Sequence, residues 1–450
     1  MFAVTRTFFI FTKTVTHETV LSYFFTRQID TRTHMPVLGH WGRAQTYPPL
    51  RRLAALPPSR TINFANGFPS RDGFPYVHLG AVLGADAMTL TLDPCVAQQY
   101  APTTGHPPLL KWITCAVQAH HSPPSPVASC VTSGNFDGLA RTLDALLDPG
   151  DTLLVDEHAF PYSMAILQPW RDARDVRLVG VRLGAHGLDV ADLNAKAIGA
   201  KALLTIPTGQ NPTGTDAVNL SDVYAVAARH DLWIVEDDPY YYIHFASSHS
   251  SSAVAPRPSL LRHDVDGRVV RLDSFSKWMA PGLRCGWLTA APSVVAKIVP
   301  LLAFASTLSQ ELLARTLHAW GDDGFAAHLA ALRVRYRAKW DLMDSLLHAH
   351  VADLCAWTPP QSGMFAWLSV VSGPWAVPLA VDPIAAERLV AAMAEHGVSV
   401  VPGCFFDAYG VPVARLRLSF ATTTDAEMRD GVIRLRALLC DDAHALAGKM

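Results

Sequence analysis

Four short segments bring together groups able to hold a charged aromatic cofactor and move a proton beside it. Lys277 stands in Ser274-Phe275-Ser276-Lys277-Trp278, with Arg284 shortly after. A primary amine can condense with a carbonyl to give a Schiff base, while neighbouring hydroxyls and a guanidinium can hold a dianion such as phosphate. Thr132-Ser133-Gly134-Asn135 opens a helical pattern, where free backbone N–H groups and the helix dipole favour an anion. Ser133 is also an ordinary N-cap residue, and Asn211-Pro212-Thr213-Gly214 also suits a plain turn. Asp237-Asp238-Pro239-Tyr240 sets a carboxylate and a phenol three residues apart, so that one can face a cationic ring nitrogen and the other a ring oxygen.

Short apolar runs at 129–132, 152–156, 176–183, 202–206, 232–236, 269–274 and 285–290 alternate with helical patterns. Most are apolar on both faces, which predicts a covered, mostly parallel seven-stranded sheet with flanking helices. Leu139, Leu143, Leu146 and Leu147 mark one helix stripe, ended by Asp148-Pro149-Gly150. Ser221 reads as the N-cap of a second helix, running to about His230. In such open α/β sheets ligands bind beyond the carboxyl ends of the strands, and all four segments follow predicted strands.

Beyond this body, 307–350 is helical, with a long helix over 325–350. A strand at 364–370, a helix near 383–396, strands at 398–401 and 415–420 and a closing helix from about 424 complete a smaller α+β domain. The expected division is an extension at 1–34, an arm at 35–75 that joins the smaller domain, a large domain at 76–320 and the small one at 321–450. The Ser-rich stretch 246–258 reads as a surface insertion.

With 17% charged residues and a net charge of −2, the chain lacks the basic footprint of a nucleic-acid binder. No apolar run is long enough to span a bilayer. Its 7 cysteines are odd in number and contain no C-x-x-C pair, which fits a reducing compartment and disfavours a zinc ribbon. The 19 histidines show no ligand spacing, so no metal site is expected. Residues 1–34 combine Phe8-Phe9-Ile10-Phe11 with Thr-rich sequence, Arg27 and Arg32. They read as a tail, as sequence ahead of a true start at Met35, or as an import segment. The expected location is cytoplasmic, or mitochondrial in the last case.

Taken together these residues resemble the fold type I pyridoxal-phosphate aminotransferases of class I/II, in the subgroup of 2-aminoadipate, kynurenine and aromatic amino-acid aminotransferases. The resemblance runs from about Asn63 to the C-terminus. It rests on Gln99-Tyr100-Ala101-Pro102-Thr103-Thr104-Gly105, Thr132-Ser133-Gly134-Asn135, Thr208-Gly209-Gln210-Asn211-Pro212-Thr213-Gly214, Val235-Glu236-Asp237-Asp238-Pro239-Tyr240, Ser274-Phe275-Ser276-Lys277 with Arg284, and Arg417-Leu418-Ser419-Phe420.

The resemblance implies that Lys277 bonds pyridoxal 5'-phosphate and then shuttles a proton, with Asp237 on the ring nitrogen and Asn211 and Tyr240 on the ring oxygen. It further implies a phosphate cradle of Ser133, the Gly134 and Asn135 backbone, Ser274, Ser276 and Arg284. Phe160 would stack on the ring, and Arg417 would clamp the substrate carboxylate with Gly67 and Asn211 nearby. Tyr100 would reach the other subunit's site, so a homodimer with shared sites is expected.

The implied reaction moves the amino group of an aromatic or 2-aminoadipate-like L-amino acid to 2-oxoglutarate by a ping-pong mechanism. A β-lyase or decarboxylase on the same fold is the alternative, and Arg417 argues against decarboxylation because a tightly paired carboxylate is hard to expel. A cofactor-binding transcription regulator would need a basic helix-turn-helix ahead of Asn63, where the sequence shows no three-helix pattern. Side-chain selectivity would fall to Arg51, Arg52 or Arg60 for an acid, or to Phe68, Tyr100 or Phe365 for an aromatic ring.

Overall fold

The computed structural model describes residues 35–46, 67–84, 87–245, 257, 259–302 and 305–441. The tail at 1–34, the arginines at 51, 52 and 60 and all of the insertion except Arg257 lie outside the described residues, as does Asn63.

Seven strands form the large sheet: β1 (Ala128–Thr132), β2 (Thr152–Asp156), β3 (Arg177–Val181), β4 (Ala202–Thr205), β5 (Trp233–Asp237), β6 (Val269–Ser274) and β7 (Gly286–Ala290). Their order is β1-β7-β6-β5-β4-β2-β3. Only β7 runs against its neighbours, pairing antiparallel with β1 and β6. The other pairs are parallel, so the carboxyl ends of all strands but β7 share one edge.

Covering helices explain why these strands are apolar on both faces. Between the strands run α1 (Pro107–His121), α2 (Asn135–Leu146), α3 (Pro161–Arg174) and α4 (Leu220–Arg229), with α1 leading into β1. Adjacent strand residues alternate between two cores, as a period of two demands. Leu154, Leu203 and Ile234 pack with Leu109 and Ile113 of α1 and Val223 of α4. Leu153, Leu204 and Val235 pack with Leu139 and Leu143 of α2 and Leu167 of α3.

Strand α-carbon pairing continues in a second, antiparallel sheet of β8 (Cys355–Trp357), β9 (Phe365–Val370), β10 (Val401–Pro402) and β11 (Arg415–Ser419), in the order β8-β9-β11-β10. It is backed by α6 (Ala385–His396) and α7 (Asp425–Cys440), and α5 (Thr307–His350), which is broken by a kink at Gly321 (φ 57°, ψ −167°), runs into it. Leu416 and Leu418 of β11 face that core, which turns Arg415 and Arg417 to the other side. A capping box between Thr424 and Glu427 starts α7; such caps contribute about 0.5–2 kcal/mol.

Three local expectations differ from the structure. Ser221 is not a cap: α4 begins at Leu220 after Asn219, whose amide instead donates to the Leu188 carbonyl at 2.7 Å. The strand expected at 398–401 pairs only through Val401 and Pro402. Residues 35–46 include a short helix, His40–Ala44, and pack on the large-sheet body rather than beside the second sheet: Gly39 N–H donates to the Ala145 carbonyl at 3.0 Å, and Lys201 donates to the Val37 carbonyl at 2.6 Å. Gly42 crosses α2 so closely that a Cβ there would stand 2.1 Å from the Ala145 oxygen. Among the described residues no helix is long and apolar enough to cross a membrane.

Candidate active site

At the shared strand edge, Asp237 closes β5 and is buried, with 6% of its surface exposed. Burial pushes its carboxyl up to about 6; the Asn135 amide, Arg271 and Lys277 favour the charged form and oppose that rise, while Asp273 adds to it. Asn135 Nδ2 donates to Asp237 Oδ1 at 2.7 Å. Asp237 also lines a pocket with Phe160, Ala159, Thr205 and Ile206. One face of the Phe160 ring is backed by Phe136, with centroids 5.9 Å apart and planes at 12°.

Lys277 follows β6 in the same crevice, and its Nζ lies 5.8 Å from the centre of the Tyr240 ring. Burial is the main influence lowering its pKa; Arg417 and Arg284 lower it further, and Asp237 opposes them. Tyr240 is buried beside Asn211, which is a hydrogen-bond partner of the phenol, and burial raises the phenol's pKa. Asn211 also accepts from Arg417, Nη1 to Oδ1 at 2.9 Å. The Arg417 guanidinium lies over Phe365 at 4.2 Å and Phe406 at 5.0 Å. Arg417 Nε is buried with no hydrogen-bond partner among the described residues, a donor placed for an anion that the protein does not itself supply.

A third corner has the makings of a phosphate cradle. Gly134 adopts φ +93° before α2, and no side chain caps that helix start. A Cβ at Gly134 would stand 2.7 Å from Arg284 Nη2, so only glycine lets the guanidinium lie against this turn. Ser276 N–H donates to Ser274 Oγ at 3.1 Å. Ser133 N–H is occupied by Asp137, at 3.0 Å. Arg284 is itself left-handed, with φ 48° and ψ 48°, a conformation uncommon for any residue other than glycine and found mostly in turns.

The structure therefore gathers Lys277, Asp237, Tyr240, Asn211 and Arg417, with Phe160 and the Ser133–Asn135, Ser274–Ser276 and Arg284 segments around them. Gly67 and Tyr100 stand on the exposed surface instead, where the Tyr100 ring meets Phe68 at 5.7 Å and Gln99 Nε2 donates to the Pro69 carbonyl at 3.0 Å. Arg415 shares a strand face with Arg417, but it is Arg417 that reaches Asn211.

Two contributors were not legible in the sequence: Phe406, which covers the Arg417 guanidinium, and the side chain of Asn135. Nor was the ion cluster below the site. Arg271, fully buried in β6, pairs with Glu236 at 3.0 Å, Asp238 at 3.1 Å and Asp273 at 2.8 Å. An arginine and an aspartate inside the otherwise apolar run Val269–Leu272 and its continuation were the available signal.

An acidic floor, a ring-stacking wall, a lysine of lowered pKa and an anion-ready turn together fit a flat, phosphorylated aldehyde with a basic ring nitrogen. Comparison with known proteins agrees. Residues 85–435 match the model of the family "Aminotransferase class I and II". This chain belongs to that family. It is an aminotransferase.

The chain is 30% identical over 425 residues to the mouse kynurenine/alpha-aminoadipate aminotransferase, mitochondrial, covering 87% of this chain and 95% of that one. Among solved structures, aminotransferase Aro8 from Candida albicans is 25% identical with a TM-score of 0.79, covering 91% of this chain and 99% of that one. LysN, an alpha-aminoadipate aminotransferase from Thermus thermophilus solved with N-(5'-phosphopyridoxyl)-L-leucine, is 28% identical with a TM-score of 0.65, covering 79% and 85%. The fold of this aminotransferase is accordingly the α/β fold of fold type I enzymes, with its second, smaller sheet.

Proposed function

We propose that this aminotransferase binds pyridoxal 5'-phosphate at the Lys277 crevice and moves the amino group of an aromatic or 2-aminoadipate-like L-amino acid to 2-oxoglutarate by a ping-pong mechanism. The observation that carries this reading is the chain of contacts from Lys277 past Tyr240 and Asn211 to Arg417, which sets a proton-moving amine beside a carboxylate clamp. The names of the mouse relative and of LysN support the choice of donors.

When bound, pyridoxal phosphate supplies an electron sink for charge that develops at the amino acid's α-carbon. Ser133, Gly134, Asn135, Ser274, Ser276 and Arg284 hold the phosphate in this reading, and Phe160 covers the ring. Asp237 keeps the ring nitrogen protonated, and Asn211 and Tyr240 hold the ring oxygen. Arg417 grips the substrate carboxylate, which fixes the α-carbon, and Lys277 moves the proton. A lysine whose pKa is lowered by burial and by two arginines spends more time neutral, as a general base must. In this reading Gly67 would come over the substrate and Tyr100 would reach the site of a second copy, giving a homodimer; both are on the exposed surface of the single chain, and the exposed Phe68, Tyr76, Val77 and Tyr100 support that part of the reading.

Donors separate the possibilities. Incubated with an amino acid alone, the holoenzyme should convert one equivalent to its oxo acid and leave pyridoxamine phosphate, and 2-oxoglutarate should then restore the starting spectrum. Continuous release of ammonia from the amino acid alone would show β-elimination and sink the transamination reading. A panel of Tyr, Phe, Trp, kynurenine, 2-aminoadipate and Leu then ranks the donors.

Two further results are expected. Arg417→Lys should lower kcat/KM about 10–100-fold, because an ammonium cannot reproduce the two-pronged grip of a guanidinium; steady-state kinetics across the donor panel checks it, and an unchanged value excludes the clamp. Cofactor affinity should fall as pH drops below about 6, the value to which burial pushes Asp237. The sign follows from linkage: a protonated Asp237 cannot pair with a protonated ring nitrogen, so affinity falls up to about tenfold per unit below that pKa. Titration of apoenzyme with pyridoxal phosphate from pH 8 to 5 measures it.

A further inference from the structure

Asn135 does something that its place in the chain does not announce. As the first residue of α2 it belongs to the turn that cradles an anion, where its backbone is the useful part. Its side chain instead turns away from that turn and crosses to the end of β5. Nδ2 donates to Asp237 Oδ1 at 2.7 Å and lies 3.4 Å from the Leu272 carbonyl oxygen. Oδ1 is buried, with no hydrogen-bond partner among the described residues.

The alcove is shaped for this amide. A Cβ on Gly286 of β7 would stand 2.9 Å from Asn135 Oδ1 and 2.7 Å from the Asp273 carbonyl oxygen. Glycine is needed there for space. The amide is also not spent on helix capping, because the N-cap is Gly134 and no side chain caps that helix start. An asparagine that merely begins a helix would keep its amide near its own backbone or in water; this one gives its short hydrogen bond to Asp237 and a longer one to the Leu272 carbonyl.

No other side-chain hydrogen bond to Asp237 occurs among the described residues, and Asp237 also lines the pocket beside Phe160. A carboxylate turns freely about its last bond unless something holds it. A short hydrogen bond from a fixed amide to one oxygen sets the plane of the group and with it the direction of the second oxygen.

We propose that Asn135 is the positioning residue for Asp237: its amide clamps one carboxylate oxygen so that the other is presented to a cationic ring N–H, and it ties the phosphate turn and the ring-nitrogen carboxylate into one rigid unit. The inference rests on the pyridoxal-phosphate reading of the site. Among the influences that favour the charged form of Asp237, this hydrogen bond is the largest, so loss of the amide also moves the carboxyl toward its protonated form.

The test uses full-length apoenzyme, wild type and the variants Asn135→Ala and Asn135→Asp. Each is titrated with pyridoxal 5'-phosphate, followed by quenching of protein fluorescence from pH 8 to 5, and each apoenzyme is melted in parallel. Asn135→Ala is expected to weaken cofactor binding at least about tenfold, the lower end of the loss for one hydrogen bond to a charged group. Its affinity should begin to fall at a higher pH than the wild type's, because protonation of Asp237 then occurs at higher pH.

Asn135→Asp keeps the shape of the side chain and sets a second carboxylate against Asp237, so it should bind at least as poorly as Asn135→Ala. It keeps the inference falsifiable if the alanine variant does not fold. A residue that only supports the fold would lower the apoenzyme melting temperature and leave the pH midpoint of binding where it was; that outcome overturns the proposal. So does a variant that binds within twofold of wild type with an unchanged midpoint. If the wild-type apoenzyme itself takes up no pyridoxal phosphate, the reading of the site falls and this inference falls with it.

Discussion

Lys277→Ala is expected to lower transamination by at least about 10⁴-fold, the upper range for a positioned proton-transfer group. It should also remove every covalent link between protein and cofactor. The size of the loss follows from the crevice. Tyr240, whose ring lies 5.8 Å from the Lys277 amine, has its pKa raised by burial and holds its proton at working pH. Asp237 is committed to Asn135 on one side.

The same substitution should leave the apoenzyme fold intact or slightly firmer. Among the described residues no hydrogen bond is made to the Lys277 amine, and its burial disfavours the charge it carries. A single-turnover assay with the best donor, run beside thermal melting of the apoprotein, reads both effects. Turnover within a factor of ten of wild type would remove Lys277 from the chemistry.

The second large effect is on stability. Arg271→Met should destabilise the apoenzyme by roughly 3–5 kcal/mol, the range for breaking a buried ion pair by removing one partner. Arg271 is the cation of a fully buried group in which Glu236, Asp238 and Asp273 all lie within 3.1 Å of its guanidinium, and its face covers Tyr241 at 4.8 Å. Methionine fills much of the volume and supplies no charge. The stranded carboxylates would then take up protons.

Burial already raises Asp273 to about 6 with Arg271 in place, and Arg271 is what restrains that rise. A carboxyl whose folded pKa lies above its unfolded value binds more protons in the folded state, so stability falls as pH rises through that interval. The deficit of Arg271→Met should therefore be greatest near pH 8 and shrink toward pH 5. Urea unfolding at the two pH values measures it, and an unchanged midpoint at pH 8 would contradict the ion-cluster account.

The sheet was legible because burial on both faces removes the ordinary alternation from a strand, and runs such as Leu153–Val155 and Ala202–Leu204 have no polar member to confuse with a helix face. The polar residues just past those runs were legible because open α/β sheets bind their ligands beyond the carboxyl ends of the strands. What could not be read was direction. Ser221 was read as the cap, yet α4 begins at Leu220 after Asn219, whose amide bonds the Leu188 carbonyl rather than its own helix.

Val398–Val400 are apolar enough for a strand, yet backbone pairing with β11 starts only at Val401. Asn135 illustrates the limit most clearly. A short amide at a helix start has its backbone role fixed by position, but whether its side chain reaches Asp237 depends on the room left by Gly286, more than a hundred residues away. Phe406 was hidden similarly: it lies in a short turn (Gly403–Phe406) that gives no periodic signal, and its contact is with Arg417 on β11.

Everything in the proposed chemistry depends on Lys277 carrying the cofactor. Borohydride reduction of the holoenzyme, followed by proteolysis and peptide mass spectrometry, tests it most directly. One phosphopyridoxyl addition per chain is expected, on the peptide containing Ser276-Lys277-Trp278, and none in Lys277→Ala. An addition on another lysine, or no stable addition in an enzyme that still transaminates, would contradict it.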